Sequence, residues 1–124
     1  MGRPEEINFG FKHEDEKIWA LNLPGEEVEL SILEDNLNIP YLEKEGTDDW
    51  NLTPKELIEN FQNEPTHYAR IQNVSLEYPI KIYFFRGSWK ILDGVHRYCK
   101  AIMEGRKSIM ACKVNKDMIP KILK

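Results

Sequence analysis

In the C-terminal half the apolar positions change period twice. Pro79-Ile80-Lys81-Ile82-Tyr83-Phe84-Phe85 is β-branched and aromatic, which predicts a strand. Arg86-Gly87-Ser88 reads as a tight turn and Trp89-Lys90-Ile91-Leu92 as the returning arm of a hairpin. From Gly94 to Glu104 the apolar residues Val95, Cys99, Ile102 and Met103 recur at helical spacing. Gly105 predicts a left-handed helix end, with Arg106 and Lys107 just beyond it, and residues 108–114 predict a last strand.

The N-terminal half is less regular. Residues 1–16 are polar and acidic and read as a loose arm, leaving 17–124 as a single domain. Lys17-Ile18-Trp19-Ala20-Leu21-Asn22 predicts a short strand, ended by the Pro24-Gly25 turn signal. Glu27-Val28-Glu29-Leu30-Ser31-Ile32 alternates with period two, the pattern of a half-buried strand. Residues 33–52 read as a long acidic connection, a length that often carries function. Thr53-Pro54-Lys55-Glu56 announces a helix: Thr53 caps it, Pro54 suits its first position, Glu56 completes a capping box, and Leu57, Ile58 and Phe61 form its apolar face. A second short helix is expected around residues 65–71. Together these elements predict an α+β fold: one compact domain with a small mixed sheet and packed helices.

Composition narrows the class. The two cysteines, Cys99 and Cys112, sit in apolar stretches and read as reduced core thiols, and a zinc site is not expected. No apolar run approaches the roughly 18 residues that span a bilayer, and the acidic N-terminus lacks the apolar core of a secretory signal. The expectation is a soluble, cytoplasmic protein with no membrane partner. The net charge of −4 hides an asymmetry: residues 1–64 carry 17 acidic and 5 basic side chains, residues 65–124 carry 4 and 12. One half attracts a polyanion and the other repels it, unless the two compensate each other by packing.

The junction after Leu92 carries the clearest chemistry. A strand ends, Asp93-Gly94 turns, and a helix begins. Unpaired N–H groups and about half a positive charge at a helix start suit a phosphate. Gly94 offers a backbone without a Cβ, Arg97 a planar fork of donors, and His96 a donor or proton carrier near neutral pH. The backbone N–H of Val95 belongs to the same turn. Asp93 suits either a helix cap or a position near a nucleotide's metal ion. The same residues also fit a plain capped helix with His96 and Arg97 on its surface.

Ile91-Leu92-Asp93-Gly94-Val95-His96-Arg97-Tyr98, followed by Ala101, Gly105 and a final strand, resembles the signature of the ParB/sulfiredoxin superfamily. Tyr78-Pro79-Ile80-Lys81-Ile82 is similar to the proline-led strand that precedes it there. The resemblance is clear over residues 76–115 and weaker over 27–75. It implies a nucleotide (ATP, ADP or CTP, with Mg²⁺) whose phosphates lie on Gly94, His96 and Arg97. Members of that superfamily include sulfiredoxins, CTP-using partition proteins, ADP-dependent free-serine kinases and proteins described as nucleases. A sulfiredoxin has a cysteine where this chain has Val95. Partition proteins continue into a helix-turn-helix domain, which the ten residues after the last strand do not hold.

The expected activity is phosphoryl transfer from a nucleotide to a small acceptor, or hydrolysis of the nucleotide. Asp93 and His96 are the catalytic candidates at the turn. The resemblance to the serine kinases implies an early carboxylate as base, for which Glu29 and Glu34 are candidates beside Glu43, Glu45, Asp48 and Asp49. His67 and Arg70, three apart on a helix, suit the far side of a phosphate tail. Trp50, Tyr68 and Trp89 are candidates for stacking a base. An alternative is a nucleic-acid-binding module or nuclease gripping backbone phosphate with Arg86, Lys90, Arg97, Lys100, Arg106 and Lys107. A third is a non-catalytic interaction protein whose acidic half meets a basic partner.

Overall fold

The computed structural model describes residues 3–21, 23–47 and 49–123. Its centre is a four-stranded mixed sheet. β1 (Glu26–Glu29), β2 (Ile80–Phe85), β3 (Ser88–Asp93) and β4 (Ser108–Val114) lie in the order β1-β4-β2-β3. β2 and β3 form the expected antiparallel hairpin, turned by Arg86 and Gly87 at positive φ. β4 returns parallel to β2, and β1 pairs antiparallel with β4. The connection from β3 to β4 is α4 (Val95–Met103), closed by Gly105 at φ +73°. Of the other helices, α2 (Pro54–Glu59) and α3 (Pro65–Asn73) contact α4.

The capping box of α2 is present: Thr53 Oγ1 accepts from Glu56 N at 3.0 Å, and Thr53 N donates to Glu56 Oε1 at 3.1 Å. The core follows the alternation of the strands. Val28, Ile80, Ile82, Ile91, Ile109 and Ala111 meet Leu33, Tyr98 and Ala101 on one side. Tyr83, Leu92 and Val114 face the other way, towards Ile18 and Ile122. Cys99 and Cys112 are buried free thiols, and burial pushes the Cys99 thiol up to about 12.

The N-terminal half differs from the expectation in three places. Residues 17–21 are not a strand: α1 (Asp15–Trp19) takes in the first three of them, with Asp15 and Glu16 in its first turn, and Asn22 lies outside the described residues. The strand at 27–32 stops at Glu29, because Leu30–Asn38 winds into a 3-10 helix. Leu30, Leu33 and Asn36 recur every three residues there, the period of that helix, and the first two pack on the sheet core. Residues 3–16, expected as an arm, lie along the second apolar cluster. Ile7 is buried, Phe9 and Phe11 pack edge-on to Tyr83, and Glu14 N donates to Ile122 O at 2.8 Å beside α5 (Ile119–Ile122). Their acidic composition conceals three well-placed apolar side chains.

The outer edge of β3 is covered by the 3-10 helix and its sequel. Buried Asn36 donates to Leu33 O at 3.0 Å and Trp89 O at 2.8 Å, and accepts from the Tyr41 hydroxyl. That hydroxyl in turn accepts from Ile91 N at 2.9 Å. Side chains thus satisfy ladder groups that a fifth strand would otherwise take. No helix among the described residues is long and apolar enough to cross a membrane.

Candidate functional site

Asp93 is the last residue of β3, and Gly94 is the N-cap of α4 at φ +105°. Asp93 does not cap the helix. Its carboxylate instead faces Arg97 one turn on, with Arg97 Nη1 3.7 Å from Asp93 Oδ2, while the same Nη1 donates to Pro79 O at 3.4 Å. Gly94 is required by packing: a Cβ there would lie 2.5 Å from Ile80 Cγ2. Val95 turns its side chain into the apolar core, so only its backbone belongs to the turn. Asp93 Oδ2 and Arg97 Nε are buried without a hydrogen-bond partner, and the third such atom among the described residues is His13 Nδ1. Burial lowers the proton affinity of His13, against the opposing pull of Asp15 and, more weakly, of Asp93.

His96 occupies the second position of α4 and meets α3. Its Nε2 lies 2.9 Å from His67 Nδ1, with the two rings 23° from parallel. His67 Nε2 lies 2.6 Å from the carbonyl oxygen of Glu43. Burial, then the neighbouring His67 and Arg70, depress His96 to about 4, so the ring is neutral at pH 7. A cavity of about 300 Å³, the scale of a small-ligand site, opens beside the pair, lined by Tyr41, Leu42, Glu43, Asp49, Trp50, His67 and Arg70. Trp50 also lines an adjoining cavity of about 640 Å³ with Arg3, Asn8, Gly10, Phe11 and Lys12, and the Arg3 guanidinium stands 5.3 Å over its ring.

The structure therefore brings His67, His96 and Arg70 together, with Asp93, Gly94 and Arg97 on the adjoining turn. It does not bring Glu29 or Glu34 there. Glu29 ends β1, three strand spacings (about 14 Å) from β3. There it accepts from Ser31 Oγ at 3.4 Å and lines a separate cavity of about 710 Å³ with Lys107 and Ser108. Glu34 is exposed on the 3-10 helix, next to the carbonyl of Leu33 that takes the Tyr98 hydroxyl. Of the acidic connection, Glu43 supplies the carbonyl that holds His67, Glu45 bonds Thr66, Asp49 accepts from Trp50 N, and Asp48 lies outside the described residues. Among the stacking candidates, Tyr68 packs on Phe61 and Trp89 on Phe84, which leaves Trp50 at the cavity.

Four of the six basic residues suited to nucleic acid are buried or engaged within the fold. Lys90 is buried, Lys100 donates to the carbonyls of Gln72 and Val74 at the end of α3, Arg86 pairs with Glu5, and Arg106 pairs with Glu104. Sequence reasoning missed the direct contact of His67 with His96 and the nearness of His13 to Asp93. Separations of 29 and 80 residues leave no local pattern that signals either. No protein family, curated protein or solved structure matches the chain.

Proposed function

We propose that the chain is a cytoplasmic nucleotide-binding protein of the ParB/sulfiredoxin kind, which transfers a phosphoryl group from a nucleotide to a small acceptor or hydrolyses it. The observation that carries this reading is the meeting, at the start of α4, of His96 with His67 and Arg70 beside a cavity that ends on Trp50. Phosphates at this turn would find the N–H groups of Val95, His96 and Arg97, the helix dipole, and two guanidinium groups, Arg97 and Arg70. Trp50 offers the base a π-face.

The donor set suits Mg²⁺ only as part of a nucleotide complex. Among the described residues no three His, Cys, Asp or Glu side chains gather to hold a metal. Asp93 supplies one half-buried carboxylate, and Mg²⁺ commonly sits on one or two carboxylates with the substrate's phosphates. For the base, the placement of Glu29 and Glu34 favours Glu43, whose carbonyl already holds His67. The burial or pairing of Lys90, Lys100, Arg86 and Arg106 favours this reading over the nucleic-acid one.

The test is thermal stabilisation by ATP, ADP, CTP, GTP and AMP, each with and without Mg²⁺, in the wild type and Arg97→Ala. A ligand that binds only the folded state raises its melting temperature by mass action. A rise with one nucleotide that is lost in Arg97→Ala supports the assignment. No rise with any of them overturns it.

A further inference from the structure

His67 and His96 share a hydrogen bond whose direction is fixed by a third group. The carbonyl oxygen of Glu43 only accepts, so His67 Nε2, 2.6 Å away, carries a hydrogen. Neutral His67 then has its lone pair on Nδ1, and His96 Nε2, 2.9 Å from it, is the donor. His96 Nδ1 is left as an acceptor. One added proton changes that atom and no other. Whichever ring the shared hydrogen settles on, His67 Nε2 keeps its own and the new hydrogen appears on His96 Nδ1. A second added proton would set two hydrogens between nitrogens 2.9 Å apart and break the contact. That separation is also short for two imidazoles on one tetrahedral zinc, which stand about 3.3 Å apart.

We propose that the His67–His96 pair couples anion capture to proton uptake: a phosphate at the start of α4 binds together with one proton, which turns His96 Nδ1 from acceptor to donor. This rests on reading that turn as a phosphate site. Without an anion, burial and the neighbouring His67 and Arg70 keep His96 neutral. The other charges around it are largely committed. Glu64, at the start of α3, accepts from Glu45 N at 2.9 Å, Glu45 bonds Thr66, and Glu56 of α2 is held in the capping box. Asp93 and Arg97 face each other across the turn, while Glu43 and Asp49 line the cavity. A dianion supplies the negative charge that the buried pair lacks, and the proton follows it. A neutral pair would present a lone pair to the anion instead.

Sulfate is the probe, because unlike phosphate it does not titrate between pH 5 and 8. Isothermal titration of the full chain at pH 6.5, in buffers of different ionisation enthalpy, reads the protons taken up per sulfate bound. The expected result is uptake approaching one proton, with affinity rising roughly three- to tenfold per pH unit on acidification. In His96→Gln the uptake should be lost at whatever affinity remains, and uptake that is retained overturns the pair as the carrier. Sulfate binding by the wild type with no uptake overturns the coupling and leaves the phosphate site standing. No binding of sulfate, phosphate or any nucleotide overturns both. Independently of any ligand, ¹⁵N spectra at pH 7 should show both rings protonated at Nε2, and an Nδ1-protonated ring overturns the proposal.

Discussion

Gly94 abuts Ile80 so closely that a methyl group on it would stand 2.5 Å from Ile80 Cγ2 and 2.9 Å from Ile80 Cβ. Ile80 is fully buried at the start of β2 and cannot swing away. Gly94 also sits at φ +105°, where an L side chain is strained. Both effects oppose Gly94→Ala, which we expect to destabilise the fold by about 3 kcal/mol. Urea denaturation checks this, and a loss below about 0.5 kcal/mol would refute the packing account. The turn thus needs its glycine for the sheet, whether or not a ligand approaches.

Acid should destabilise the protein well above the range where carboxylates titrate. His96 titrates at about 4 when folded and near 6.5 when unfolded. Above pH 6.5 both states leave it neutral and it contributes nothing. As the pH falls from 6.5 to 4, the unfolded chain binds a proton that the folded chain refuses, so stability is lost. The whole loss is about 3 kcal/mol, and the lowered proton affinity of His13 acts with the same sign. His96→Gln should flatten the fall between pH 6.5 and 4. Denaturant midpoints across that interval give the answer, and identical slopes in the two proteins would remove His96 as the cause.

Residues 79–114 were legible in sequence because each element there is long enough to show its period and is bounded by Gly or Pro. The capping box at Thr53 was legible for the same local reason. α1 was not: five residues around Ile18 and Trp19 are too few to separate a helical from a strand pattern. The 3-10 helix was missed because Leu30-Ser31-Ile32 continues the alternation of β1 by chance, and only Leu33 and Asn36 show the three-residue period. Nothing local tells that β4 inserts between β1 and β2. That insertion is what places Glu29 at the far edge of the sheet. The turn at Gly94 was visible as a motif, whereas the histidine facing it depends on how α3 packs on α4.

Asn36 makes three hydrogen bonds at full burial: to Leu33 O within the 3-10 helix, to Trp89 O on β3, and from the Tyr41 hydroxyl, which itself holds Ile91 N of β3. Asn36→Leu would remove all three and leave the carbonyls of Leu33 and Trp89 and the Tyr41 hydroxyl without that partner. Leu33 O keeps the Tyr98 hydroxyl, so Trp89 O and the Tyr41 hydroxyl are the orphans. Each costs about 1–3 kcal/mol, partly offset by the apolar side chain, so a net loss of about 2–3 kcal/mol is expected. Tyr41→Phe should cost less, about 1–2 kcal/mol, because it orphans chiefly Ile91 N. Hydrogen exchange localises the effect: the Ile91 amide should lose protection first in both variants. Uniform loss across the sheet would mean that the edge is not held in this way.

Asp93 holds a carboxylate 3.7 Å from the guanidinium that a phosphate would use. In the absence of Mg²⁺ it competes with an anion for Arg97 and adds a like charge beside it. Asp93→Asn removes the charge while keeping the shape, so it should bind inorganic phosphate about two- to fivefold more tightly than the wild type when no divalent ion is present. With Mg²⁺ the order should reverse for a nucleotide, because the carboxylate that would meet the metal is gone. Titration calorimetry with phosphate, and with the stabilising nucleotide at fixed Mg²⁺, measures both arms. Weaker phosphate binding by Asp93→Asn would mean that Asp93 steers Arg97 towards the anion rather than holding it back.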